Sequence, residues 1–199
     1  MNKNDIILAT DDNQKDITVR DVEGWIKDME KYKENLAHFI YIRLYGRYLK
    51  PFDFESEVYK KSYKNGFSLM ANCCLLIETY ISFSVSGFMD TKDKSERCFG
   101  LFFTTAKRLS EFSHNGLSKD FFKNVRCGIL HVGETRNGWK IRRDGLLFDT
   151  ATKTIDAYQF SQNLKHEIKD FSERLKIEDI NSPLWLTYIA KLENIIKIA

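Results

Sequence analysis

Two prolines and ten glycines in 199 residues leave room for long uninterrupted helices. Cysteine is also sparse. Cys73, Cys74, Cys98 and Cys127 include no C-x-x-C pair, so they read as reduced thiols of a cytoplasmic protein, three of them packed as small apolar groups. The four histidines, His38, His114, His131 and His166, show no H-x-x-x-H or H-E-x-x-H spacing and no clustering with cysteine. No metal centre and no cofactor is therefore expected. There is no glycine-rich phosphate loop, no nucleophile elbow, and no second carboxylate spaced with Glu78 for acid–base work. The apolar run Ile6–Ala9 is too short for a signal peptide. No stretch is read as reaching transmembrane length, which leads to the expectation of a soluble cytoplasmic protein with no membrane partner.

What is present is a hydrophobic content of 43% with 14% aromatics, enough for a folded globule. The spacing predicts a flexible arm over residues 1–17 and a single domain over 18–199. Apolar residues step by threes and fours in a first helix over 21–49, ended by Pro51, and in a second over roughly 55–85. A third helix opens at Asp93 or Ser95 and runs to Phe112. A fourth is capped by Ser118 and stopped by Gly133. The period then changes to alternation. Trp139–Arg142 and Leu146–Phe148 around Asp144-Gly145 predict an antiparallel hairpin, with Thr154–Asp156 as a third short strand, an insertion over about 138–156. A fifth helix over 158–175 and a sixth opened by Ser182-Pro183 follow. The fold class is mainly α, a bundle of about five to six helices with a small antiparallel β-hairpin or meander inserted after the fourth.

Charge is unevenly placed. Between Lys119 and Arg143 seven bases face two acids, an excess of five positive charges where the whole chain carries +3. That segment holds Asn124-Val125-Arg126-Cys127-Gly128-Ile129-Leu130-His131-Val132-Gly133-Glu134-Thr135. Arginine holds phosphate in two-point contact, and histidine moves a proton near neutral pH. On a regular helix Phe121, Val125, Gly128, Ile129 and Val132 form the core stripe. Arg126 and His131 then flank it, about 140° apart. So placed they do not converge within one helix, and the outer face carries Leu130 and Cys127. A two-fold contact between copies would relieve both problems. Glu78 interrupts the apolar stripe of the second helix, where a carboxylate needs a partner. Arg126 is one candidate, and any other base is the alternative.

The helical order together with Arg126-x-x-x-x-His131 resembles the HEPN superfamily of small helical domains. The resemblance covers roughly residues 55–175, including Gly66–Glu78 and Val125–Trp139. It implies a homodimer through the Arg126–His131 helix face and a metal-independent endoribonuclease that acts on RNA or a nucleotide. The toxin or phage-defence setting it suggests would include an antitoxin such as a small nucleotidyltransferase. By the same resemblance Arg126 and His131 are the catalytic pair; Glu78, as a candidate partner of the arginine, and Cys127, next to it, are read as supporting residues. Many active members carry Asn, Asp or His directly after the arginine, where this chain has Cys127. That leaves open a catalytically silent domain that binds RNA or mediates assembly. Lys123, Lys140, Arg142 and Arg143 are the candidate RNA-backbone contacts. Trp139 is either a stacking surface or, with Ile141, part of the packing of the hairpin.

Overall fold

The computed structural model describes residues 2–53 and 64–199. It is mainly helical, and it groups into two compact units. One unit gathers Met1–Arg47, Ser82–Asp90 and Ile168–Ala199, and the other Tyr48–Ile81 and Thr91–Glu167.

In the first unit the segment expected to be a flexible arm is an antiparallel ribbon, β1 (Ile7–Thr10) against β2 (Asp16–Thr18). Leu8 and Ile17 are buried, and the Leu8 carbonyl accepts hydrogen bonds from Arg43 and Arg47. A capping box between Thr18 and Asp21 starts α1 (Val19–Lys27). The predicted helix over 21–49 is interrupted at Asp28, whose φ of −137° is not helical and whose carboxylate caps α2 (Met29–Leu44). The side chains of Ser172 and Tyr188 donate to the carbonyls of Ala37 and Leu36 at 2.7 and 2.6 Å. These bonds tie α2 to the last two helices, α7 (Ala157–Ile177) and α8 (Pro183–Ile198), within this unit.

The second unit holds most of α3 (Gly66–Ser84) and all of α4 (Ser95–Thr105). The predicted start of the second helix, near Glu55, lies outside the described residues. By length and composition α3 could cross a membrane, contrary to the expectation that no stretch would. Within the unit its Leu69, Met70, Cys73, Cys74, Leu76, Ile77 and Ile81 are buried core positions. α4 ends seven residues before the predicted Phe112. Ala106 is extended, and the Arg108 amide donates to the buried Glu167 carboxylate at 2.7 Å rather than to a helix carbonyl. The next segment, α5 (Leu117–Phe121), continues through a π-helical turn over Phe122–Arg126 into α6 (Cys127–Val132).

After it come β3 (Lys140–Arg142), β4 (Phe148–Asp149) and β5 (Thr154–Asp156). β4 pairs antiparallel with β5 as a small hairpin, whereas β3 pairs with β5 in parallel and not with β4. The Asp156 carboxylate accepts from the Gly145 and Gln159 amides, both at 2.8 Å. It thereby draws the Asp144-Gly145 turn onto the end of the central strand.

Phe121 is the hub of the core. Its ring lies within 5.3–6.0 Å of Phe99, Phe103, Phe112, Phe160 and Trp139. Phe121→Ala should therefore cost about 3–5 kcal/mol, read as a lowered denaturant midpoint with an unchanged slope.

Candidate active site

The helix that carries the motif is shaped at both ends by glycine. Gly116 and Gly133 take φ of +74° and +78°, values open to glycine at little steric cost. Gly133 closes α6 as its spacing predicted, its amide donating to the Ile129 carbonyl at 3.1 Å. Ser118 is not the N-cap, since α5 starts one residue earlier behind Gly116 with no side-chain cap. In the π turn the Cys127 amide bonds the Phe122 carbonyl, which puts one extra residue into the helix. The angular placement of a regular helix therefore fails beyond that turn. Phe121, Val125 and Gly128 are buried as expected, but Val132 is 56% exposed and outside the core.

The expected separation of Arg126 and His131 does not hold either. Arg126 and His131 do meet within one chain, Nη1 lying 3.3 Å from Nε2. Five residues of α-helix rise about 7.5 Å, a span the long arginine arm can cover. Glu78 fixes the other end of the guanidinium. Its Oε1 accepts from Arg126 Nε at 2.9 Å, and its Oε2 accepts from Ser95 Oγ at 2.6 Å. Both members of this ion pair are largely buried, at 16% and 11% side-chain exposure. The imidazole is exposed. The Phe122 ring centre lies 5.6 Å from the guanidinium carbon, within cation–π range. Together Glu78, Ser95, Phe122 and His131 hold the arginine head in one orientation.

Ser95 and Phe122 were not among the predicted site residues. Ser95 is seventeen positions from Glu78 and stood in the sequence only as a helix start, so no spacing rule joins them. Phe122 could have been found as the residue one helical turn before Arg126.

Cys127, next to Arg126, is half-buried, and Cys73, Cys74 and Cys98 are buried free thiols. Burial pushes the thiols of Cys73 and Cys74 up, and that of Cys98 up to about 11, so these three stay protonated near neutral pH.

The candidate RNA contacts are dispersed. Lys123, Lys140 and Arg142 are exposed. Arg143 is half-buried and donates to Asn65 Oδ1 at 2.6 Å, beside Gly66 at the start of α3. That is twelve residues, or about 18 Å of helix, from Glu78. Trp139 is buried at 3% exposure and stacked on Phe148 at 5.3 Å, so it packs the insertion and offers no stacking face.

The turn after Gly133 is fastened back onto the helix. The Arg136 amide donates to the Asn124 carbonyl at 3.0 Å, and Asn137 Nδ2 donates to Asn124 Oδ1 at 2.9 Å. Asp120 anchors the same region by accepting from Asn124 Nδ2, Trp139 Nε1 and Lys153 Nζ at 2.6, 3.0 and 3.1 Å. Burial acts to raise the Asp120 carboxyl, but the bonds from Lys153, Trp139 and Asn124 outweigh it and hold the group below its ordinary range.

A methyl group on Gly128 would enter the contact shell of the Glu134 carbonyl oxygen and lie 3.3 Å from Thr135 Cα. Both obstacles are backbone, so Gly128→Ala should cost about 1–3 kcal/mol in denaturant unfolding. For Asp120 the folded carboxyl titrates below its unfolded value of about 3.9. Its contribution is therefore complete above that pH and disappears as pH falls through the folded value. The stability gap between wild type and Asp120→Asn should accordingly narrow as pH is lowered from 6 to 3, and a gap constant across that range would refute this. No family model matches the chain, and neither a curated protein nor a solved structure matches it.

Proposed function

We propose that this chain is a metal-independent endoribonuclease of the HEPN type, with Arg126 and His131 as its catalytic residues. The observation that carries the proposal is the pairing of an exposed imidazole with a guanidinium held by a buried carboxylate. No described residue takes a hydrogen bond from Arg126 Nη2, which is free to donate to a phosphate. In the proposed step His131 Nε2 takes the proton of an RNA 2′-hydroxyl as the 2′-oxygen bonds to phosphorus. The bond from phosphorus to the 5′-oxygen breaks, that oxygen takes up a proton, and a 2′,3′-cyclic phosphate remains. Arg126 offsets charge that builds on the non-bridging oxygens, a preorganised electrostatic contribution. General-base catalysis by a histidine contributes typically about 10²–10⁴ in rate.

A homodimer is part of the proposal. Leu130 and Val132, at the end of the motif helix, are 36% and 56% exposed, and a two-fold contact would cover them. It would also bring a second His131 near the cleft to supply the proton for the 5′-oxygen. The second reading, a silent RNA-binding module, draws on Cys127, a weak hydrogen-bonding thiol in the place where many active members of the resembled family have a polar side chain.

Purified protein incubated with mixed RNA in EDTA should yield fragments ending in 2′,3′-cyclic phosphate, and His131→Ala should reduce the rate about 10²–10⁴-fold. Undiminished cleavage by His131→Ala would remove the catalytic assignment. Salt-sensitive RNA binding with no cleavage would establish the silent module.

A further inference from the structure

Arginine has five N–H donors and no acceptor. A hydrogen bond between Arg126 Nη1 and His131 Nε2, 3.3 Å apart, can therefore run in only one direction, from guanidinium to the imidazole lone pair. We propose that Arg126 selects the tautomer of His131. In the free protein the hydrogen-bonded ring carries its proton on Nδ1 and presents its Nε2 lone pair to the guanidinium.

The restraint reaches beyond the pair. Glu78 Oε1 binds Nε of the same guanidinium, and Ser95 Oγ occupies Glu78 Oε2, so the carboxylate is held at both oxygens. The donors run in sequence from Ser95 to Glu78, and from Arg126 to both Glu78 and His131. Ser95 and Glu78 are thus positioning residues for the tautomer, acting through Arg126. The end of α6 is open to solvent at His131, and no described residue other than Arg126 hydrogen-bonds the ring.

Resting on the ribonuclease reading, this arrangement makes the general base dependent on substrate. Before RNA arrives, the Nε2 lone pair is occupied by Arg126. A phosphodiester is a stronger acceptor for the guanidinium than a neutral imidazole is. When it draws Nη1 away, Nε2 is released at the place where the 2′-hydroxyl must lose its proton. The same guanidinium would hold the base in reserve and bind the phosphate that frees it.

The test reads the imidazole directly and needs no RNA cleavage. Long-range proton–nitrogen spectra of ¹⁵N-histidine protein at pH about 8.5, where an ordinary histidine is neutral, are assigned by the signal lost in His131→Gln. The expected pattern for His131 is a protonated Nδ1 and an unprotonated Nε2. A protonated Nε2 in the wild type overturns the proposal, whatever the cleavage assay shows. The double variant Glu78→Gln/Arg126→Gln removes both charges together and so avoids a buried unpaired carboxylate. It should move His131 toward the Nε2-protonated form favoured by free imidazole, and an unchanged pattern in this folded variant also overturns the proposal. Addition of a 2′-deoxy oligonucleotide, which binds but lacks the attacking hydroxyl, should shift both ring nitrogens in the wild type. Tautomer selection without cleavage would uphold this inference while removing the ribonuclease assignment.

Discussion

The ion pair between Glu78 and Arg126 is the constraint on which the site depends. A carboxylate on an otherwise apolar helix is costly unless it is paired and fully hydrogen-bonded. Glu78 meets that condition with Arg126 on one oxygen and Ser95 on the other. The consequence is positional. The arginine cannot swing into solvent without stranding a buried charge, so its remaining donors are directed at His131 and at the space beside it. Phe122 supports the head group from one side, and Phe122 in turn packs 5.5 Å from Phe99 of α4. The Arg126–His131 pair on a helix end is thus braced by three parts of the same compact unit.

The π turn over Phe122–Arg126 is the second determinant. Such turns add a residue without ending the helix and recur at functional sites. Here the turn lies between the aromatic hub at Phe121 and the exposed end at His131. One stretch of chain can then be locked into the core at its start and present polar chemistry at its finish. The segment after Gly133 keeps this end in place. Asn124 and Asp120 bind it from the helix, and Gly128 leaves the space in which it passes.

Much of this was legible in the residues. Helical periodicity located α3, α7 and α8, and Gly133 and Ser182-Pro183 marked helix ends by known backbone chemistry. A lone glutamate on an apolar stripe calls for a cation, and Arg126 is a candidate because a buried carboxylate is costly without an opposite charge. Other features were hidden because they come from competition between distant groups. The ribbon over residues 7–18 depends on arginines at 43 and 47. The early end of α4 depends on Glu167 capturing the Arg108 amide. Parallel pairing of β3 with β5 overrides a strong local turn signal at Asp144-Gly145, because Asp156 recruits that turn from eleven residues away.

The sequence by itself determined where the main helical segments lie, though not all of their ends, and which side chains are available to bind phosphate and move a proton. It also determined that Glu78 would need a partner, since propensity, periodicity and the cost of burying a charge are local properties. Whether Arg126 and His131 meet was decided only by the tertiary structure. A regular helix holds them about 140° apart. The length of the arginine arm and a carboxylate forty-eight positions away together bring them within hydrogen-bond reach.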